Sequence, residues 1–100
     1  ESVGFTNVLS GVTLTVLNPT RIGGVIAMGI RIVTDAQTTV SAATRIANCP
    51  TGLLKGIANA IASDGSTVMQ ADAIGISCNK SIEPSKTLYF QIIGFYNGGN

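Results

Sequence analysis

Apolar and polar residues alternate at every second position in several parts of this chain. In residues 12–16, apolar side chains alternate with Thr13 and Thr15. Because successive side chains of a strand point to opposite faces, this pattern predicts a strand that is buried on one face. A second run of the same kind has its apolar side chains at Ile26, Met28, Ile30 and Ile32.

Turn-forming residues indicate where these strands end. Pro19 follows Asn18, and a proline cannot donate a backbone hydrogen bond to a neighbouring strand, so the first strand is predicted to stop there. The second strand is predicted to follow a turn at residues 21–24 and to close at Asp35. A third strand is predicted at residues 38–46, which are rich in threonine and valine.

Residues 52–62 fit two different elements. Leu53, Ile57 and Ile61 are four positions apart, which is typical of a short helix. Gly56 lies inside this segment, and the hairpin signal at residues 63–65 follows it directly. We therefore favour a strand here, and a helix stays open as the alternative.

The C-terminal third of the chain predicts two more strands. One covers residues 67–77 and leads to Cys78, and the stronger one covers residues 87–96. Both faces of the second strand are apolar, although a two-layer sandwich covers only one face of each strand. The face left over is predicted to contact a partner; its residues are Tyr89, Ile93 and Phe95.

Six to seven short strands separated by turns define the fold class. We predict an all-β, immunoglobulin-like antiparallel β-sandwich of about seven short strands, formed by residues 11–100 as a single domain. The chain has 100 residues, which is enough for one core. Tryptophan is absent, so the prediction concerns the architecture and not the antibody family.

The N-terminal segment, residues 1–10, carries a separate alternating pattern. Val3, Phe5 and Leu9 share one parity, and Gly11 separates them from the first core strand. Such a segment is either the first strand of its own domain or a donor strand that completes the sheet of a neighbour. Both interpretations remain open from the sequence.

The low charge of the chain bears on its partners. Charged residues are 11% of the sequence, histidine is absent and the net charge is +1. Ordinary domains carry about a quarter charged residues, which oppose self-association. We therefore expect contacts with copies of the same chain. The basic residues are scattered, which argues against nucleic acid binding, and no apolar run is long enough for a membrane span.

Catalytic chemistry is not indicated. Without histidine there is no general base near neutral pH, and the five acids are isolated in sequence. The glycine-rich pieces lack the motifs that bind phosphate. We predict no enzyme activity, no cofactor and no metal, and hence no catalytic, cofactor-binding or metal-binding residues.

The cysteines, a glycosylation sequon and the first residue bear on localisation. Cys49 and Cys78 are the two cysteines, and we favour a disulfide between them over two buried free thiols. Asn79 begins the glycosylation sequon Asn-Lys-Ser, although a turn role for it is also expected. The sequence begins at Glu1 without methionine, as a processed export product would. Together these features predict an extracellular protein at the cell surface.

Two family resemblances follow from these patterns. The run Val-Gly-Phe-Thr-Asn-Val-Leu at residues 3–9 and the strand at residues 82–90 resemble subunits of extracellular filaments, such as archaeal threads and β-sandwich pilins. That resemblance implies a self-assembling structural subunit with a donor strand and a role in adhesion. Residues 12–19 resemble a strand and turn of LEA14-like domains, which implies a monomeric binding or stress-protection sandwich. The composition also fits a virion or tail-tube protein.

Overall fold

The computed structural model describes residues 4–98, and their elements form two antiparallel sheets. The five-stranded sheet has the order β1-β4-β8-β7-β6, and the four-stranded sheet has the order β2-β3-β9-β5. No helix occurs in this part of the chain. The strands are β1 (Thr6–Asn7), β2 (Val12–Ile22), β3 (Val25–Thr34), β4 (Arg45–Asn48), β5 (Leu54–Lys55), β6 (Ala58–Ile61), β7 (Val68–Ala71), β8 (Gly75–Cys78) and β9 (Thr87–Tyr96).

The predicted all-β antiparallel sandwich is confirmed, with nine short strands in place of about seven. Its core lies between the inner faces of the two sheets. From the four-stranded sheet, the core contains the alternate residues of β3 and β9 that the sequence predicted. From the five-stranded sheet, most core residues belong to β4, β7 and β8. The fully buried side chains of β3 are Ile26, Met28, Ile30 and Ile32.

The predicted end of the first strand at Asn18 and Pro19 is wrong. β2 continues to Ile22 through an irregularity between Leu17 and Thr20, where Asn18 has a positive φ of 49°. β2 lies at the edge of the sheet, and β3 is its only neighbour there among the described strands. The missing N–H of Pro19 on the side away from β3 therefore breaks no hydrogen bond between strands. A bulge on an edge therefore accommodates the residue that was expected to stop the strand.

The predicted strand at residues 38–46 is also wrong over most of its length. Val40 makes only an isolated bridge, in which its N–H and C=O groups both bond to Ile82. Ala43 then adopts a positive φ of 64°, and regular pairing starts at β4. Residues of high β propensity do not form a regular strand unless a neighbouring strand pairs with them.

Residues 52–62 form strands, as we favoured, in two short pieces. β5 belongs to the four-stranded sheet and β6 to the five-stranded sheet. Gly56, with a φ of 74°, lies between them and turns the chain from one sheet to the other. Leu54 and Ala58 are buried, whereas Ile57 and Ile61 are exposed.

The single strand predicted at residues 67–77 is a hairpin made of β7 and β8. Asp72 forms the turn, because its Oδ1 accepts hydrogen bonds from the backbone N–H groups of Ile74 and Gly75 at 2.9 and 3.0 Å. An aspartate that binds the following backbone in this way is a strong turn former. The pattern of apolar positions alone did not reveal it.

Candidate interaction surfaces

The outer face of the four-stranded sheet is markedly apolar at one end. Directly paired residues of antiparallel strands lie on the same face, so the register defines rows across the sheet. One row contains Ile22, Val25 and Phe95, and the next contains Ala27 and Ile93. We call the set Ile22, Val25, Ala27, Tyr89, Ile93 and Phe95 the apolar face.

Most of the apolar face is open to solvent. The exposed fraction is 76% for Ile22, 39% for Val25, 49% for Tyr89, 65% for Ile93 and 63% for Phe95. Together these five side chains expose roughly 500 Å² of mostly apolar surface, which is as much as the largest patch of a typical monomer. A patch of this size is typical of a binding surface.

The predicted interface residues Tyr89, Ile93 and Phe95 therefore share one exposed face. Their role in binding stays a prediction. Ile22 and Val25 were missed, because the sequence places them at a turn. The signal that could have found them is the glycine pair at positions 23 and 24, which makes a tight hairpin and brings its flanking residues side by side.

A shallow notch lies beside these residues, toward the middle of the same face. Gly29 pairs with Leu17 on one side and with Gln91 on the other. Because Gly29 has no side chain, a hollow remains that Leu17, Tyr89 and Gln91 surround. The face thus carries a depression next to the projecting side chain of Ile93.

The outer face of the five-stranded sheet is different in character. Its central row contains the neutral polar residues Asn59, Gln70 and Ser77 and ends at Arg45. The three neutral side chains line a shallow depression. Exposed isoleucines also occur elsewhere, at Ile57, Ile61 and Ile74, whereas the apolar face groups five exposed large apolar side chains on one sheet.

The N-terminal segment pairs with the edge of the five-stranded sheet. Thr6 and Asn7 of β1 lie opposite Asn48 and Ala47 of β4. The side chains on either side of β1, Phe5 and Leu9, are half-buried against the core. Val3, the third predicted donor residue, lies outside the described residues.

A tight turn links this segment to β2. Gly11 has a φ of 81°, and its C=O accepts a hydrogen bond from Asp35 at 2.9 Å. A Cβ atom at this position would collide with the Oγ1 of Thr38. Only glycine fits here, so the point at which the segment leaves the domain is sharply defined.

The predicted disulfide between Cys49 and Cys78 is wrong, since both cysteines are free. The N–H of Cys49 bonds to Ile74, and the C=O of Cys78 accepts from Ala43, so the two cysteines lie near opposite ends of β8. Four residues of strand separate these points by about 13 Å, given a rise of about 3.3 Å per residue. A disulfide needs Cα atoms within about 7 Å of each other.

The cysteine environments agree with structural thiols. Burial raises the pKa of both Cys49 and Cys78, which disfavours the reactive thiolate. Because both cysteines are free, they give no indication that the protein is exported. Localisation outside the cell stays a prediction.

Other candidate chemistry is sparse in the part of the chain that the structure describes. Within residues 4–98, no group of three or more cysteine or acidic residues could hold a metal ion. Asn79 is exposed, and its Oδ1 accepts a hydrogen bond from the N–H of Val68 at 2.8 Å. Glycosylation of Asn79 stays a prediction.

Asp64 is the most perturbed carboxyl group. Its Oδ2 accepts a hydrogen bond from the Thr67 hydroxyl, and its Oδ1 accepts from the N–H groups of Ser66 and Thr67. These bonds favour the ionised form and lower the pKa of Asp64 to about 2, with the Thr67 hydroxyl as the largest cause. The carboxylate holds a turn and does not face another acid.

We expect this low pKa to appear in the acid stability of the protein. A lowered pKa stabilises the fold above the ordinary aspartate value of 3.8, and the contribution disappears as the pH falls through about 2. Titration of the Asp64 carboxyl by NMR should give a midpoint near 2. The Thr67→Val variant should raise it, whereas Ser66→Ala should not, because that variant keeps the backbone donors. A midpoint near 3.8 in the wild type would contradict the assigned hydrogen bonds.

No protein-family model matches the chain, and no match is found among curated proteins or solved structures. Within residues 4–98, no helix has the length and hydropathy of a membrane span. The inference of function therefore depends on the surfaces described above.

Proposed function

We propose that this chain is a non-enzymatic structural subunit that assembles with copies of itself into an extracellular filament at the cell surface. Residues 2–9 serve as the donor strand that completes the five-stranded sheet of a neighbouring subunit. The observation that carries this proposal is the position of β1. It is the first described strand and lies at a sheet edge, with Phe5 and Leu9 packed against the core.

The energetics of exchange support the proposal. β1 is paired with β4 through two residue pairs, and the Oδ1 of Asn7 accepts one further hydrogen bond from the N–H of Leu14 at 3.3 Å. When the segment moves to an identical neighbour, it makes the same pairs and fills the same half-buried positions. Exchange therefore loses little contact energy, and the entropy of association is its main cost.

The weakly charged surface also supports assembly. With 11% charged residues, adjoining subunits would experience little mutual repulsion. In a filament, exposed isoleucine and phenylalanine side chains would be covered by neighbours. Adhesion to a surface or glycan target belongs to the same proposal, as in the filaments that the sequence resembles.

A monomeric binding or stress-protection sandwich is the second candidate function. The observation that favours it is that β1 pairs with β4 of its own chain and contacts its own β2 through Asn7. Under this alternative, residues 1–10 are an ordinary first strand. The two candidates therefore differ in which molecule supplies β1.

Cysteine cross-linking between chains distinguishes them. Thr6 and Asn48 are paired residues of β1 and β4, so cysteines at these positions lie close enough for a disulfide. We would prepare Thr6→Cys and Asn48→Cys as separate chains, in a background with Cys49→Ala and Cys78→Ala. The mixture is refolded together and then oxidised. Strand exchange should produce a covalent dimer that contains one chain of each kind.

A matched control pairs the Thr6→Cys chain with a chain that carries Thr87→Cys, which is exposed at the start of the distant strand β9. That mixture should give no comparable dimer. If the first mixture also gives none, while the Thr6→Cys, Asn48→Cys double variant closes an internal disulfide, β1 stays in its own chain. The monomeric candidate would then replace the filament.

A further inference from the structure

We infer that the apolar face packs against the apolar face of a second copy, about a two-fold axis. This inference rests on the proposed self-assembly for the identity of the partner. It does not require strand exchange, because the face belongs to the other sheet. It adds a second, isologous contact to the subunit.

The size of the face suits such a contact. A standard interface buries about 800 Å² on each partner. The apolar face supplies roughly 500 Å² of that area from its exposed large side chains. Polar neighbours on the same face, such as Thr15, Thr87 and Gln91, can supply the rim.

The β2 edge of the four-stranded sheet is protected against the addition of another strand, whereas the outer face of this sheet is exposed. At the edge strand β2, Pro19 and the irregularity around it interrupt the backbone groups that another strand would bind. Asn7 occupies the N–H of Leu14 farther along the same edge. Addition of a strand to β2 is therefore disfavoured, whereas the exposed side chains of the face remain available to a partner.

The rows of the face allow a two-fold arrangement in which projecting and recessed rows meet. If the two-fold axis lies between the rows of Ala27 and Gly29, each row on one copy meets a different row on the other. The row with the projecting Ile93 then lies opposite the row with the notch at Gly29. The row with Arg31 lies opposite the row that contains Phe95.

The polar groups of the face also suit a second copy. β2, β3, β5 and β9 contain no acidic residue, so no carboxylate of these strands is buried when the faces of two copies meet. In the two-fold arrangement the row opposite Arg31 offers Phe95 of the second copy as a ring for the guanidinium group. An anionic membrane usually selects a cluster of basic residues, whereas Arg31 and Lys55 are the charged residues on this face.

Sedimentation equilibrium of face variants tests this inference. The double variant Ile93→Thr, Phe95→Thr keeps residues that suit a strand but removes apolar surface. We expect it to weaken dimerisation of the full chain at least tenfold. The matched control is Ile61→Thr, Ile74→Thr, which changes two isoleucines of comparable exposure outside the four-stranded sheet, and it should dimerise as the wild type does. Circular dichroism checks that each variant is folded.

Gly29→Val provides an independent test, because it fills the notch while a Cβ at this position meets Leu17 only at ordinary contact distance. It should also weaken the dimer. Equal weakening in the face variant and its control would overturn the inference, as would a wild type that does not dimerise. Binding of monomeric wild type to vesicles of phosphatidylcholine and phosphatidylglycerol, lost in the face variant, would assign the face to a membrane instead.

The two proposals can fail separately. The Thr6→Cys and Asn48→Cys mixture can be oxidised in the background of the face variant. A cross-link there, together with normal dimerisation of that variant, leaves strand exchange standing and overturns the face contact. Weakened dimerisation without a cross-link supports the face contact and overturns strand exchange.

Discussion

Replacing Gly75 with alanine should destabilise the fold by about 3 kcal/mol, at the upper end of typical overpacking costs. A Cβ at this position would collide with the backbone oxygen of Ala47 and would lie about 3 Å from the Arg45 side chain. The first of these atoms belongs to the backbone of β4 and cannot move without disturbing the pairing of β4 with β8. Urea unfolding of the variant and the wild type measures the difference.

Gly24→Ala is the matched control for this substitution. Nothing lies within 4 Å of a Cβ at Gly24, and its φ is not in the left-handed region. We expect the free energy of unfolding to change by no more than about 0.5 kcal/mol. Equal effects at the two glycines would show that β4 and β8 do not approach each other as closely as described.

Replacing Ile30 with alanine should lower the free energy of unfolding by about 2–5 kcal/mol, which is the usual range for truncation of a large buried side chain. Ile30 is 1% exposed at the centre of β3, opposite Val16 and Phe90. The cavity that remains cannot collapse easily, because both neighbouring strands are fixed by long ladders. In a small domain this loss is a large part of the total stability.

The control for this prediction is Ile61→Ala. Ile61 is also a strand residue, but it is 59% exposed on the other sheet. Its truncation should cost less than about 1 kcal/mol, because little area is removed from water on folding. A loss at Ile61 as large as that at Ile30 would contradict the assignment of the inner and outer faces.

The alternating pattern predicted the strands that dominate the core. β3 and β9 are long enough for their period of two to be clear, and the structure confirms which side chains of each face inward. The same alternation placed Tyr89, Ile93 and Phe95 together on the opposite face. These inferences succeeded because they depend only on local geometry within one strand.

The features that the sequence did not predict depend on pairing between distant segments. Residues 38–44 have strand-forming composition, but their pairing is limited to the Val40–Ile82 bridge and one hydrogen bond from the Ala43 N–H to the Cys78 C=O, too little for a regular ladder. The distance between Cys49 and Cys78 depends on the register of β8 with the segments beside it. Likewise, Ile22 and Val25 join the apolar face through the β2–β3 hairpin and the pairing of β3 with β9. Register of this kind is not encoded in the periodicity of any single strand.

The central claim is that this sandwich assembles with copies of itself. Sedimentation velocity of the full chain over a range of micromolar concentrations tests it most directly. We expect the mean mass to rise with concentration above the 10.2 kDa of one chain, and we expect removal of residues 1–10 to abolish the largest species. A single 10.2 kDa species at every concentration, unchanged by that removal, would contradict the claim.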